Sequence, residues 1–183
     1  MTWRKRIFDL FFASLLVVLL GPLLLGLLIW LLWQEGRPLF YVAERMKGVD
    51  RPFVLWKLRT MRVVEADTGV SGGDKVARIT RTGAWLRSKR LDELPQLWNI
   101  LRGDMAFVGP RPFMPDQTDI YSGMSYYALR PGLTGSWQVG ARNDESFATR
   151  VIYDSAYARD VSLWLDLSII LRTVRVVLAR TGR

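Results

Sequence analysis

The chain has neither cysteine nor histidine in its 183 residues. The first absence rules out disulfides and fits any reducing compartment. The two together remove Ser-His and Cys-His nucleophilic systems, Cys/His zinc sites and every imidazole base. Also missing are a Gly-x-x-x-x-Gly-Lys phosphate loop, a Gly-x-Gly-x-x-Gly dinucleotide fingerprint and an Asp-x-Asp metal motif. Chemistry is left to carboxylates, Lys, Arg, Ser, Thr, Tyr, or a hard metal held by oxygens.

What is present is half apolar (50%) and strongly basic, with a formal charge of +9. The length fits one domain with an appendage. A basic, apolar chain points to a negatively charged partner surface, membrane or nucleic acid. The membrane is the better match. Arg4, Lys5 and Arg6 lead into a run, Ile7 to Trp33, whose only polar residues are Asp9 and Ser14. From Leu10 to Trp33 a helix would be about 36 Å long, enough to cross a bilayer. The run is too long for a signal peptide, and no small-residue cleavage site follows. Gly21-Pro22 lies mid-run, where proline removes a backbone donor and predicts a kink or break. Basic residues flank both ends, with Arg37, Arg45 and Lys47 on the far side, and basic flanks are the cytoplasmic ones. A helix-break-helix over 1–36 that enters and returns on one face satisfies both flanks. A simple anchoring span is the alternative.

Residues 37–183 form the expected cytosolic unit. Leu39–Ala43 and Phe53–Arg59 read as a hairpin around Gly48–Pro52. Glu65–Lys75 reads as a loop, and Ala84–Lys89 and Asp92–Leu101 as helices. Met105–Val108 reads as a buried strand, and Asp116–Leu129 as a helix interrupted near Gly123. Phe147–Ala158 and Ser162–Leu178 complete the helices. Past Asp166 there is no acid, and Arg172 and Arg175 interleave with Leu171, Val174 and Leu178, which suits a helix lying on an anionic membrane. The fold class is α+β and helix-rich.

Two adjacent carboxylates, Asp92 and Glu93, sit in a basic neighbourhood that includes Arg87, Lys89, Arg90, Arg102 and Arg111. Such a field keeps a carboxylate ionised and attracts an anion, most simply a phosphate. Among arginines a carboxylate can act as metal ligand, base or nucleophile, or it can be an ordinary surface acid. Pro110-Arg111-Pro112 fixes the backbone on both sides of one guanidinium, which suits bidentate phosphate binding.

In order, Lys57-Leu58-Arg59-Thr60-Met61, Leu91-Asp92-Glu93-Leu94-Pro95-Gln96-Leu97, Val108-Gly109-Pro110-Arg111-Pro112, Arg130-Pro131-Gly132-Leu133-Thr134-Gly135 and Arg142-Asn143 resemble the monotopic bacterial phosphoglycosyl transferases, the bacterial sugar transferase family. The resemblance covers nearly the whole chain. It implies transfer of a sugar-1-phosphate from a UDP-sugar to undecaprenyl (polyprenol) phosphate with release of UMP. It implies Asp92 as nucleophile, forming a covalent phosphosugar, and Glu93, with Asp92 beside it, on Mg2+. Arg111 looks like a substrate-phosphate contact. Lys57, Arg59, Arg87, Arg130 and Arg142 are further phosphate-binding or structural candidates. It also favours the re-entrant membrane helix broken at Gly21 and Pro22, on the cytoplasmic face of the bacterial inner membrane. Many members carry Ser-Pro at that break and Thr-Ser before the Asp-Glu pair, where this chain has Gly21-Pro22 and Lys89-Arg90. The motifs look most like exopolysaccharide-initiating members, which often use galactose or glucose. No nucleic-acid partner is expected, and a homodimer in the membrane is compatible with the apolar surface. Two other functions compete: a glycosyltransferase that releases UDP, and a membrane-tethered anion-binding protein.

Overall fold

The computed structural model describes residues 2–63, 74–140 and 149–179. It is helix-rich, with two small two-stranded sheets. The first helix, α1 (Trp3–Glu35), is capped by Thr2, whose hydroxyl accepts from the Lys5 amide. Among the described residues it is the one helix apolar and long enough to cross a membrane.

The break expected at Gly21-Pro22 is not there: α1 is an uninterrupted helix with Pro22 inside it. Packing gives the reason. Lys5, Asp9, Ala13, Leu27 and Leu31 are buried, and Leu16, Leu20 and Leu24 are half-buried. Steps of 4, 4, 3, 4, 4, 3 and 4 residues form one stripe with an 11-residue repeat, so both halves present the same face. Pro22 and Val18, whose carbonyl would have received the missing proline N–H, lie on the exposed side. The lost bond costs no contact with the rest of the protein.

Both ends of α1 rest on the same globular unit. Near the start, Lys5 Nζ donates to Asp166 Oδ2 at 2.5 Å, both fully enclosed. Arg6 donates to the carbonyls of Ile100 and Leu101 at 2.6 and 2.8 Å, and Asp9 Oδ1 accepts from the Phe107 amide. Near the end, Leu27 and Leu31 pack with Leu58 and Leu86, and Trp30 meets Trp85 edge-on.

The hairpin is longer than expected: β1 (Phe40–Gly48) pairs antiparallel with β2 (Arg51–Leu58). The turn uses Asp50 in the left-handed region, φ 51, where Asn and Asp are tolerated best after glycine. Two short helices follow, α2 (Asp74–Ala77) and α3 (Arg81–Ser88), the latter capped by Thr80. Most of the loop expected over Glu65–Lys75 lies outside the described residues. A 3₁₀ turn at Leu91–Glu93 precedes α4 (Gln96–Arg102), so the helix expected from Asp92 begins later, after Pro95. Asn99 of α4 is fully buried and treats the free edge of β2 as a strand would: it accepts from the Trp56 amide and donates to the Val54 carbonyl. The main core gathers Phe53, Leu55, Leu97, Ile100, Met105, Phe107, Tyr157 and Ile169.

The strand β3 (Ala106–Val108) pairs in parallel with β4 (Gly132–Thr134). The helix expected over Asp116–Leu129 is instead a 3₁₀ segment, Pro115–Ile120, followed by turns. Tyr121 and Tyr126 both enter a second small core with Met46 and Phe113, and Gly123 presses on Val151, which an α-helical register would not permit. The chain closes with α5 (Ser136–Gly140), α6 (Arg150–Arg159) and α7 (Leu163–Leu178), whose start is capped by Ser162. The helix expected from Phe147 therefore begins, among the described residues, at Arg150.

Two stability predictions follow from buried charge. Lys5→Ala leaves Asp166 enclosed without its cation, which costs about 3–5 kcal/mol and is readable as a lower melting temperature in detergent. Asp154 accepts from the Tyr121 hydroxyl at 2.8 Å, and burial pushes its carboxyl up to about 6. The folded state then keeps a proton that the unfolded chain releases near pH 4, so stability falls as pH rises from about 4 to 6. The melting temperature of Asp154→Asn, relative to the unmodified protein, should be higher at pH 8 than at pH 5.

Candidate active site

The Asp92-Glu93 pair is carried by the 3₁₀ turn between α3 and α4. Arg90 makes the corner in the left-handed region, φ 58 and ψ 18. A non-glycine residue there stores about 1 kcal/mol of strain or more, and it lies two residues from Asp92. Asp92 is buried, and burial is the main force lifting its carboxyl above the ordinary value, opposed chiefly by Lys57. Glu93 behaves in the opposite way. Burial would raise it too, but Lys57, Arg111 and Arg90 together bring it below the ordinary value. Lys57 Nζ donates to Glu93 Oε1 at 2.8 Å, and Arg90 stands 3.8 Å from the same oxygen. Arg87 holds Thr60 at 2.8 Å and adds positive potential at Asp92.

Glu93 and Lys57 line a cleft of about 180 Å³ with Gln96, Arg45, Arg111, Gln138 and Arg150. The arginines crowd one another. Burial and then Arg111 lower the Arg45 guanidinium, and the same two causes pull Arg150 down to about 10. Arg150 also sits 4.3 Å over the Trp137 ring. Cations held this close are arranged for an anion that neutralises them.

Arg111 reaches the cleft because its loop is pressed against another. A Cβ on Gly109 would lie 2.2 Å from the Arg130 carbonyl oxygen, one on Gly132 2.1 Å from the Gly109 nitrogen, and one on Gly135 2.1 Å from the Gly109 oxygen. Only glycine permits that backbone contact, which is tied by Gly109 N to Thr134 O and Gly132 N to Pro110 O.

The structure thus brings Asp92, Glu93, Lys57, Arg87 and Arg111 together. Arg59 is elsewhere: it is buried and donates to the carbonyls of Glu35, Gly36 and Arg37, capping the negative end of α1. Arg130 opens onto a different cleft. Arg142 lies outside the described residues. Gly21 and Pro22 are within α1, away from the cleft. Arg45, Gln96 and Arg150 were not singled out from the sequence. Arg45 could have been found from strand alternation, whereas Arg150 carries no local signal. Gln138 is the more informative addition. Both ends of its amide are buried without a hydrogen-bond partner among the described residues, and it lines the cleft, so its NH2 can donate to a ligand and its oxygen can accept.

The donor set suits Mg2+ of one kind. Among the described residues there is no group of three metal-competent acids or imidazoles. Mg2+ commonly takes one or two carboxylates and completes its shell with substrate phosphates and water, and Asp92 with Glu93 fits that pattern.

A family model described as "Bacterial sugar transferase" matches residues 1–180. The chain belongs to the bacterial sugar transferase family. It is 41% identical over 196 residues to a "UDP-galactose-lipid carrier transferase" of Erwinia amylovora, covering 97% of this chain and 41% of that protein. It is 36% identical to the "Exopolysaccharide production protein ExoY" of Rhizobium meliloti, over 97% of this chain and 87% of that protein. It is 40% identical to a "UDP-glucose:undecaprenyl-phosphate glucose-1-phosphate transferase" of Caulobacter vibrioides, over 93% and 68% of the two chains. It spans about two fifths of the length of the Erwinia and Salmonella relatives.

Two arginines of the family motifs separate cleanly by experiment. Arg59→Ala should lower the melting temperature, at about 1–3 kcal/mol for the orphaned carbonyls, and leave affinity for inorganic pyrophosphate within twofold. Arg111→Ala should do the reverse, weakening pyrophosphate about tenfold at an unchanged melting temperature.

Proposed function

We propose that this chain is a phosphoglycosyl transferase that moves a sugar-1-phosphate from a UDP-sugar to undecaprenyl phosphate, releases UMP, and so initiates a glycan such as an exopolysaccharide. One observation carries the proposal: a lysine-clamped carboxylate, Glu93, lines a cleft with Arg45, Arg111 and Arg150, and its chain neighbour Asp92 is a second carboxylate, buried next to that lining. The names of its relatives supply the substrate classes.

The diphosphate binds among Arg45, Arg111 and Arg150, which lower its charge. A carboxylate oxygen of Asp92 attacks the sugar-bearing phosphorus. The phosphorus–oxygen bond to UMP breaks, and UMP leaves with the bonding electrons. A phosphate oxygen of the lipid then attacks the same phosphorus and frees the Asp92 carboxylate. Burial makes Asp92 a stronger nucleophile than a hydrated carboxylate, and Lys57 with Arg87 opposes the rise that burial gives its carboxyl. Bound at Glu93 and Asp92, Mg2+ would supply further charge neutralisation. Gln138 would hydrogen-bond the uracil or a sugar hydroxyl.

The acceptor is a lipid, and the surface is built to meet it. The exposed side of α1 is apolar, with Phe11, Val18, Leu19, Leu25 and Ile29 outward. The helix α7 adds a parallel theme: Trp164, Leu167, Leu171, Val174 and Leu178 are exposed at helical spacing among Arg172 and Arg175. Because both ends of α1 are pinned to one globular unit, the helix lies along one leaflet at the cytoplasmic face of the inner membrane rather than delivering its ends to opposite sides. Exposed Trp3 and Trp33 at its two ends suit the interfacial level.

The test is nucleotide release from full-length protein in nanodiscs with Mg2+, undecaprenyl phosphate and a panel of UDP-sugars. UMP release that requires the lipid and drops on the order of 10³-fold or more in Asp92→Asn is the expected result. UDP in place of UMP would identify an ordinary glycosyltransferase and remove the role given to Asp92.

A further inference from the structure

The helix α3 is docked on one side and bare on the other. Its inner residues are Thr82, Gly83 and Leu86. Leu86 joins Leu27 and Leu31 of α1. A Cβ on Gly83 would lie 2.0 Å from the Thr60 carbonyl oxygen, and Arg87 Nε donates to the Thr60 hydroxyl at 2.8 Å. The helix is therefore held in one orientation. Its outer face carries Arg81, Trp85 and Lys89, all exposed and spaced four residues apart, so they form one stripe. From Arg81 to Arg90 the basic residues are Arg81, Arg87, Lys89 and Arg90, and there is no acid. Arg90 stands 3.8 Å from Glu93 and Arg87 turns to Thr60, while Arg81 and Lys89 have no ion-pair partner among the described residues.

The stripe borders the apolar outer side of α1. Trp85 meets Trp30 of α1 edge-on, with ring centroids 5.3 Å apart. Trp33, on the same flank of α1 one turn further along, is 83% exposed. Tryptophan favours the level at which headgroups meet acyl chains. The cations on either side of Trp85 therefore sit where basic side chains meet lipid phosphates. None of Arg81, Trp85 and Lys89 lines either cleft. Two cations spread over two helical turns around a tryptophan make a flat array, which suits a charged plane better than a single ion.

We infer that the outer face of α3 docks on an anionic leaflet, with Arg81 and Lys89 on lipid phosphates and Trp85 at the acyl boundary. The protein thereby prefers membranes that carry phosphatidylglycerol-type lipid. The contact bears on the candidate site, because α3 runs into the Asp92-Glu93 turn, and Leu91 and Leu94 pack on the same α1 cluster as Leu86. Docking α3 fixes the height of that turn at the leaflet. Such docking requires the membrane placement of α1 proposed above but none of the transferase chemistry.

A choice between vesicles tests this. Full-length protein diluted out of detergent is offered phosphatidylcholine vesicles together with vesicles of phosphatidylcholine and phosphatidylglycerol, and the two populations are then separated and assayed for protein. The unmodified chain should favour the anionic vesicles. Arg81→Gln and Lys89→Gln should each lower that preference about fivefold, and Arg51→Gln, which removes the same charge at the hairpin turn, should leave it within about twofold. Arg81 and Lys89 are exposed, so their variants keep the fold, which an unchanged melting temperature checks. Equal recovery of the unmodified protein on both vesicles would keep the membrane placement and overturn the leaflet preference. Equal losses in all three variants would put general charge attraction in place of the stripe and overturn the inference. Protein on neither vesicle would overturn the placement of α1 and this docking with it. No nucleotide enters the experiment, so its outcome is independent of the UMP assay.

Discussion

A helix with an apolar outer face is held to a polar unit by a few charged groups at its first turns. Lys5 enters a fully enclosed pair with Asp166, which also accepts from the Tyr157 hydroxyl at 2.6 Å. Stripping water from two ions costs several kcal/mol each, recovered only when geometry and extra hydrogen bonds are good. Here they are supplied from α1, α6 and α7 at once, so the pair fixes which helices meet. Its return is specificity of docking more than net stability. The Asp92-Glu93 turn depends on it indirectly, because Arg6, one residue on from Lys5, holds the last carbonyls of α4, whose other end follows that turn.

Within the candidate site, neighbouring carboxylates diverge because their surroundings do. Glu93 has a lysine in direct contact and stays charged, while Asp92 has cations only at a distance and carries the cost of burial. Divergence of this kind is how two like groups take different tasks in one site. The arginines across the cleft are mutually repulsive, so an anion entering it meets charges already in place, with little left to reorganise.

Much of this was legible in the sequence. Alternation revealed the hairpin, helical spacing revealed α4 and α7, and a run of cations around two acids pointed to the candidate site. The failures have physical reasons. Pro22 predicts a break from local backbone chemistry, and long-range packing of both flanking arms overrides it. The 116–129 segment has helical composition, yet its tyrosines are claimed by a core built from Met46 and Phe113, distant in sequence. Arg59 and Arg111 look alike on paper. One ends at backbone carbonyls and the other at a cleft, and only tertiary structure separates them. Gln138 has no local signal, because a buried amide without a partner among the described residues is a property of the folded interior.

The stripe along α1 has a consequence for how such a helix can change length. Each inserted residue turns everything beyond it by about 100°, so one or two extra residues between Ala13 and Leu27 would swing Leu27 and Leu31 off Leu58 and Leu86. Insertions of seven or eleven residues restore the face to within about 20°. The length of helix that can be spliced in without turning the stripe is therefore quantised in steps of roughly 10 or 17 Å.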